Sequence, residues 1–231
     1  MSQDLDALIG QLLSDPAYAS GRRAFPRTVS REDADAIADL VQREVDRGVT
    51  ARAESAARDG MRIACCRGCT GCCEEMVLVY AAEAERIAAW LRRPENATVR
   101  EGFQSRYLGW RKSVADAPAR LTELVSRDDQ EGYETAHVTQ WRRRVLCAFN
   151  VDGDCSIYDV RPVACRNAHA VDTAEHCVGD DPSGASATRL QFKPLDDFLA
   201  RVRRLERATH HALGQAPKRP EALCDAVARR L

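Results

Sequence analysis

The sequence lacks the features that would place it at a membrane or on nucleic acid. Its 34 basic and 35 acidic residues nearly balance, so no excess of positive charge indicates binding to nucleic acid or to an anionic membrane. No run of about 18 apolar residues could span a bilayer, and the segment after Met1 lacks the basic and apolar stretches of a secretory signal. We therefore expect a soluble, cytoplasmic protein with no membrane and no nucleic acid among its partners.

Familiar catalytic patterns are missing as well. The sequence contains no Ser/His/Asp arrangement and no paired carboxylates that would indicate hydrolysis. It has no glycine-rich loop of the kind that binds a nucleotide, and no internal repeat. These patterns leave open whether the protein is an enzyme.

Cysteine, in contrast, is abundant, with 10 among the 231 residues. Thiols are kept reduced in the cytoplasm, so clustered cysteines there indicate a metal site more than disulfides. Two groups stand apart in the sequence and supply these candidate metal ligands: Cys66, Cys69, Cys72 and Cys73, then Cys147, Cys155, Cys165 and Cys177. Eight thiols in two groups predict one assembled site.

The spacing of the first group suits metal binding. Cysteines separated by two residues can aim both sulfurs at one ion, because a tight turn between them also frees backbone N–H groups to donate to those sulfurs. Gly68 and Gly71 lie where such turns need positive φ or close backbone approach. Successive side chains diverge, so Cys72 and Cys73 would more naturally serve two metals, or one of them would bridge. Two zinc sites, one polynuclear centre, or an iron–sulfur cluster beside a zinc all remain open.

Residues near the predicted ligands have expected supporting roles. Thiolates leave negative charge at a metal centre, so Arg67, Arg161 and Arg166 are candidate counter-charges. The segment Asp152-Gly153-Asp154 predicts a turn between two ligands.

Four further residues carry metal-binding side chains without a clear motif. His169 and His176 lie beside predicted ligands and could replace a cysteine. Cys65 and Cys224 are expected to be small buried hydrophobic residues or free thiols.

The rest of the chain predicts helices. Val99, Phe103, Tyr107, Trp110 and Val114 follow a helical period, and such an aromatic stripe is typical of a protein core. We predict a mainly α fold: a helical single domain around an irregular cysteine-rich metal-binding core, with little or no β-structure. The expected parts are an N-terminal helical arm (1–60), a cysteine-cluster domain (61–190) with a helical insertion at about 81–146, and C-terminal helices packing on it (191–231).

The cysteine pattern resembles a known family. The first cysteine group carries part of the resemblance, and a motif later in the chain carries the rest. The residues of that later motif are Cys147, Cys155, Ile157, Tyr158, Arg161, Pro162, Cys165 and Arg166. This pattern is similar to that of the YkgJ-type cysteine-cluster family, described as zinc- or iron-chelating proteins, over residues 64–80 and 145–178. The resemblance implies as ligands Cys66, Cys69, Cys72, Cys73, Cys147, Cys155 and Cys165, with Cys177 as an eighth.

Two enzyme classes share parts of this pattern. Flagellin lysine methylases look similar in their cysteines and carry an iron–sulfur cluster. The spacing of Cys65, Cys69 and Cys72 also matches radical enzymes that use S-adenosylmethionine, but the strand–helix alternation of their β/α barrel is missing here.

The sequence thus favours a metal-binding protein that holds zinc or iron, in mononuclear, polynuclear or iron–sulfur form, in a structural or carrier role. The alternative is an iron–sulfur redox protein or protein-modifying enzyme. A third hypothesis is an interaction module in which zinc shapes a surface and the helical arms contact a protein partner.

Overall fold

The computed structural model of the chain describes residues 31–66, 68–170, 189–191 and 220–231. The first half of the predicted N-terminal arm lies outside the described residues. The described residues also leave out most of the predicted C-terminal helices and three single residues: Arg67, His176 and the predicted ligand Cys177.

The protein is mainly helical, which confirms the predicted fold class. The helices are α1 (Arg31–Arg58), α2 (Ala81–Arg92), α3 (Ala97–Val114), α4 (Ala117–Ser126), α5 (Gln130–Trp141), α6 (Val163–Asn167) and α7 (Leu223–Ala228). None of the helices in the described residues combines the length and the apolar character that crossing a bilayer requires.

The β-structure is slight, as the sequence predicts. Within the described residues it consists of three antiparallel pairs of very short strands. They are β1 (Leu78–Val79) with β6 (Glu221–Ala222), β2 (Asn150–Val151) with β3 (Asp154–Cys155), and β4 (Ala168–Ala170) with β5 (Arg189–Gln191).

Helix boundaries follow local chemistry. Helix α1 ends just before Gly60, whose φ of 77° is a conformation that favours glycine. Helix α4 has Pro118 in its first turn, where the missing N–H costs nothing. Asp129 caps α5 by accepting a hydrogen bond from the Gly132 N–H at 2.9 Å.

One apolar core joins the helices to the second cysteine segment. Phe103, Trp110 and Val114 of the aromatic stripe are buried in it, so the prediction that this stripe is core is confirmed. Phe149, from the second cysteine segment, stacks on Phe103 with ring centroids 4.1 Å apart. Val227 of α7 is fully buried in the same cluster. Chain regions far apart in the sequence therefore share one core.

Helix α1 is fixed to this body by polar contacts. The Arg86 side chain of α2 donates to Gln42 Oε1 at 2.9 Å and pairs with Asp39. Gln42 in turn donates to the Arg161 carbonyl at 3.5 Å. The described part of the N-terminal arm therefore packs directly beside the second cysteine motif.

Arg166 has a structural role that the sequence did not indicate. We expected it to offset the charge of thiolates, but its guanidinium donates to Asp46 of α1 at 2.7 and 2.9 Å. It also donates to the Arg161 carbonyl at 2.9 Å and to the Asp159 carbonyl. The Arg166 side chain is 8% exposed, so these bonds tie the cysteine motif to α1.

We predict that Arg166→Lys lowers the free energy of unfolding by about 2–3 kcal/mol, because a single ammonium group cannot satisfy acceptors on three sides. Urea denaturation of both proteins measures this loss. Arg43→Lys is the matched control, since the Arg43 side chain is 54% exposed in its pair with Asp39, and should change stability by less than about 0.5 kcal/mol. Equal losses of stability in the two variants would contradict the role of Arg166 in holding the cysteine motif on α1.

Candidate metal centre

The cysteines of both groups meet at one cavity. All nine cysteines in the described part of the chain line it, and its volume is about 130 Å³. Seven of the eight predicted ligands are among them, and the eighth, Cys177, lies outside the described residues. The cavity also receives Cys65 and Cys224, which sequence reasoning had set aside.

Tight turns position the first cysteine group. The Cys69 N–H donates to the Cys66 carbonyl at 3.2 Å, and Gly68 between them has a φ of 88°. A short 3-10 turn at Gly71–Glu74 then carries Cys72 and Cys73. Both side chains line the cavity, so two neighbouring residues of this turn offer sulfurs to the same space.

A hairpin positions Cys155 in the second group. Asp152 and Gly153 both have positive φ, 50° and 91°, which is the type I′ turn that suits a two-residue hairpin loop. The Asn150 side chain accepts the Gly153 N–H at 3.2 Å and holds the turn closed. The predicted turn at Asp152-Gly153-Asp154 is therefore confirmed, and it closes a short antiparallel hairpin.

The two cysteine groups are bonded to each other directly. The Cys147 N–H donates to the Cys73 carbonyl at 2.7 Å. Arg144, just before the second group, forms an ion pair with Glu74 of the first at 2.6 Å. A backbone hydrogen bond and an ion pair thus hold the two cysteine groups together at the cavity.

Four cysteines lie close enough to influence one another's ionisation; we call Cys72, Cys147, Cys155 and Cys165 the inner cysteines. Burial, followed by the charges of the other inner cysteines, raises the pKa of Cys155 and of Cys165. The hydrogen bond with Cys73, and then burial, raises the pKa of Cys72. Thiols with a raised pKa, such as these three, stay protonated at neutral pH unless a cation compensates their charge. Cys147 differs from them, because a hydrogen bond with Cys224 lowers its pKa.

Backbone N–H groups support several of these sulfurs. The N–H of Phe149 donates to Cys147, and the N–H of Ile157 donates to Cys155. The Ala170 N–H donates to Cys65 Sγ at 3.0 Å. The sequence predicted such bonds for the first group, in which the Cys72 backbone supports the Cys72 sulfur, and the second group has them too. In both groups they would stabilise thiolates.

His169 has the geometry of a nitrogen ligand. Its Nε2 lies 2.8 Å from the Arg166 carbonyl, so this nitrogen carries the proton and leaves a lone pair on Nδ1. Nδ1 is buried without a hydrogen-bond partner in the described residues, and the side chain lines the cavity. Burial lowers the pKa of His169 and keeps the ring neutral. A carbonyl bonded to the opposite nitrogen is how proteins commonly orient a metal-binding histidine.

One of the expected positive charges, Arg161, lies at the cavity, and one that was not expected joins it. Arg161 lines it, stacks on the Tyr158 ring at 3.9 Å, and favours the thiolate form of Cys155. Arg106, which the sequence did not single out, acts in the same way on Cys147. Arg106 gave no sequence signal because it lies on α3, remote from the motif.

The sulfurs do not yet surround a single point. Among the described residues, no three Cys, His, Asp or Glu side chains form a group that could hold one ion as they stand. The donor set nevertheless fits soft metals, since thiolate and imidazole are the ligands of zinc, copper and iron–sulfur clusters. Metal binding here requires side-chain rotation, and a cavity of about 130 Å³ gives the space for it.

Glu83 is a further residue that sequence reasoning missed. Its carboxylate accepts the Val163 N–H at 2.8 Å and the Tyr80 N–H at 3.2 Å. It therefore joins the start of α2 to the start of α6, which carries Cys165. A glutamate at the third position of a helix is a recognisable capping signal, but its second partner, Val163, could not be found from sequence.

Burial raises the pKa of Glu83, and this has a consequence for stability. The pKa of this carboxyl in the unfolded chain is about 4.3, and its pKa in the folded protein is higher. At pH values between the two, the unfolded chain releases a proton that the folded chain retains. The free energy of unfolding therefore falls as pH rises through this window. We expect Glu83→Gln to lose this contribution. The free energies of unfolding of wild type and variant should therefore differ by an amount that changes with pH. Urea denaturation at a series of pH values measures this difference. Unfolding free energies that change with pH in parallel for the two proteins would contradict the prediction.

Comparison of the chain with protein-family models, with curated proteins and with solved structures gave no significant match.

Proposed function

We propose that the protein binds zinc or iron through the cysteines of this cavity, in a structural or carrier role. The observation that carries the proposal is that two cysteine groups, separated by the 73 residues between Cys73 and Cys147, line one cavity. Packing alone does not call for so many thiols at one place, because a cysteine in a core acts as a small hydrophobic residue.

The state of the thiols supports a soft cation as the occupant. None of the nine described cysteines is in a disulfide, and the charges of neighbouring inner cysteines disfavour the thiolate forms of Cys155 and Cys165. A bound cation would relieve this repulsion, while the N–H groups of Phe149 and Ile157 already support the sulfur charge. Metal bound here would join the hairpin that carries Cys155 to the helical body, which is a structural role.

An iron–sulfur centre is the second candidate, and buried hydrogen-bond donors favour it. Asn150 Nδ2 and Arg161 Nε have no acceptor among the described residues, although both side chains line the cavity. Sulfides of a cluster would accept such bonds, and hydrogen bonds to sulfur tune the reduction potential of these centres. In that form the protein would be a redox protein or a protein-modifying enzyme, as the resemblance to flagellin lysine methylases implies.

Within either form we propose a cytoplasmic protein, since reduced thiols are required. The third proposal is an interaction module in which the helical arms contact a protein partner.

Anaerobic purification followed by metal analysis and a visible spectrum tests the proposal. Zinc with no visible absorption supports the structural form, and iron with acid-labile sulfide and a brown colour supports the cluster form. Cys155→Ser should lower the metal content, whereas Ser156→Ala, a change beside it in the same hairpin, should leave it unchanged. Wild-type protein that contains no metal and takes up neither zinc nor iron would refute metal binding.

A further inference from the structure

We propose that Cys224 is a metal ligand that shares one ion with Cys147. This inference rests on the proposed metal-binding function and adds a ligand from a third part of the chain, outside both cysteine motifs. It also reverses the sequence-based expectation that Cys224 is a buried hydrophobic residue or a free thiol.

The distance between the two sulfurs carries the argument. Cys147 Sγ and Cys224 Sγ lie 3.7 Å apart. Two thiolates bound to one tetrahedral zinc at about 2.3 Å each are separated by about 3.8 Å. The pair thus already has the spacing of two ligands on one ion, and the sulfurs are too far apart for a disulfide, in which they lie about 2.05 Å apart.

The surroundings of Cys224 resemble those of the other cavity cysteines. Cys224 is 2% exposed and lines the cavity. The Ala148 N–H, next to Cys147 in the chain, donates to its sulfur. Support by a backbone N–H is what a thiolate ligand needs in a buried position. The contact between the two sulfurs is an S–H···S hydrogen bond, and an ion bound by both thiolates would take the place of its proton.

The fold holds Cys224 in this position from both sides. The Leu223 N–H donates to the Val77 carbonyl at 2.9 Å, next to the β1–β6 pairing. Asp225 accepts a hydrogen bond from the Tyr107 hydroxyl at 2.9 Å and lies 3.4 Å from Arg111 Nε. Residues on each side of Cys224 are therefore anchored to β1 and α3, which fixes its sulfur beside Cys147.

Variants test the inference by zinc titration of metal-free, reduced protein against a competing chelator. We expect Cys224→Ala to lower the zinc affinity by about 100-fold or more, at least the loss seen when groups that support a ligand are removed. Val227→Ala is the matched control, because it loosens the same helix in the core without removing a sulfur, and it should retain the wild-type affinity. Equal affinities of wild type and Cys224→Ala would overturn the inference. Equal losses in the two variants would also overturn it, since packing would then explain the effect.

Cadmium binding to the unmutated protein gives a measurement that does not depend on the folding of a variant. With ¹¹³Cd bound, scalar coupling to the β-protons of Cys147 and Cys224 should appear at the same cadmium resonance. Coupling to Cys147 without Cys224 would overturn the inference while leaving the proposed function intact. Protein that binds neither cadmium, zinc nor iron would refute the proposed function itself. A disulfide between the two residues in metal-loaded protein, detected by peptide mass mapping, would also overturn the inference.

Discussion

Chelation of the bound metal should increase amide hydrogen exchange across residues 147–170 before it affects helices α2, α3 and α4. This segment contains only a two-residue strand pair, a 3-10 turn, the five-residue helix α6 and β4. In contrast, α2, α3 and α4 are regular helices of 12, 18 and 10 residues, whose amides are protected by hydrogen bonds within each helix. Structural zinc contributes on the order of 10 kcal/mol in small domains, so its loss should act first where there is least regular secondary structure.

Hydrogen exchange with mass spectrometry, on the same preparation with metal and after chelation, measures this effect. The amides of Phe149 and Ile157 are the most informative, because they donate to cysteine sulfurs. The inner face of α3, around Phe103, serves as the internal control. Unchanged exchange in residues 147–170 would refute the idea that metal holds this segment in place.

Phe149→Ala should lower the free energy of unfolding by about 3–5 kcal/mol. The Phe149 side chain is 1% exposed and lies parallel to Phe103, with an angle of 6° between the rings. Its removal leaves a cavity beneath the second cysteine segment and also loosens the backbone whose N–H donates to Cys147. We therefore expect weaker metal binding as a second effect, although Phe149 offers no ligand atom.

Denaturant unfolding and a metal titration of the same variant measure both effects. Leu108→Ala is the control, because Leu108 is 67% exposed on α3, and it should change stability by no more than about 0.5 kcal/mol. A loss below about 1 kcal/mol for Phe149→Ala would contradict the assignment of this ring to the core.

Much of the helical frame could be predicted from the sequence, because local pattern determines it. The stripe through Phe103 and Trp110 marked the buried face of α3, and Gly60 marked the end of α1. The turn at Asp152-Gly153 was equally readable, since positive φ at both positions favours these residues. Each of these features depends on neighbours within a few residues.

The residues that were missed depend on partners far away in the chain. Nothing near Cys224 indicates that its sulfur meets Cys147, and nothing near Glu83 indicates that it accepts the Val163 N–H. Arg166 looked like a counter-charge because it follows Cys165, yet its bonds run to Asp46 on α1. Such contacts arise only when the tertiary fold is formed, so a single sequence does not reveal them.

The pairing of β1 with β6 has a consequence for how the protein is made. Leu78 and Ala222 are paired neighbours in the fold, but during synthesis Ala222 leaves the ribosome long after Leu78. Contacts between such distant segments form late, since closing a long loop costs entropy before the contact can compensate. Leu223 and Cys224, which line one part of the cavity, are therefore added after the other described cysteines are in place. Until then a nascent chain presents reduced thiols to the cell, so we expect its yield to depend on metal supply and on protection from oxidation while it is being synthesised.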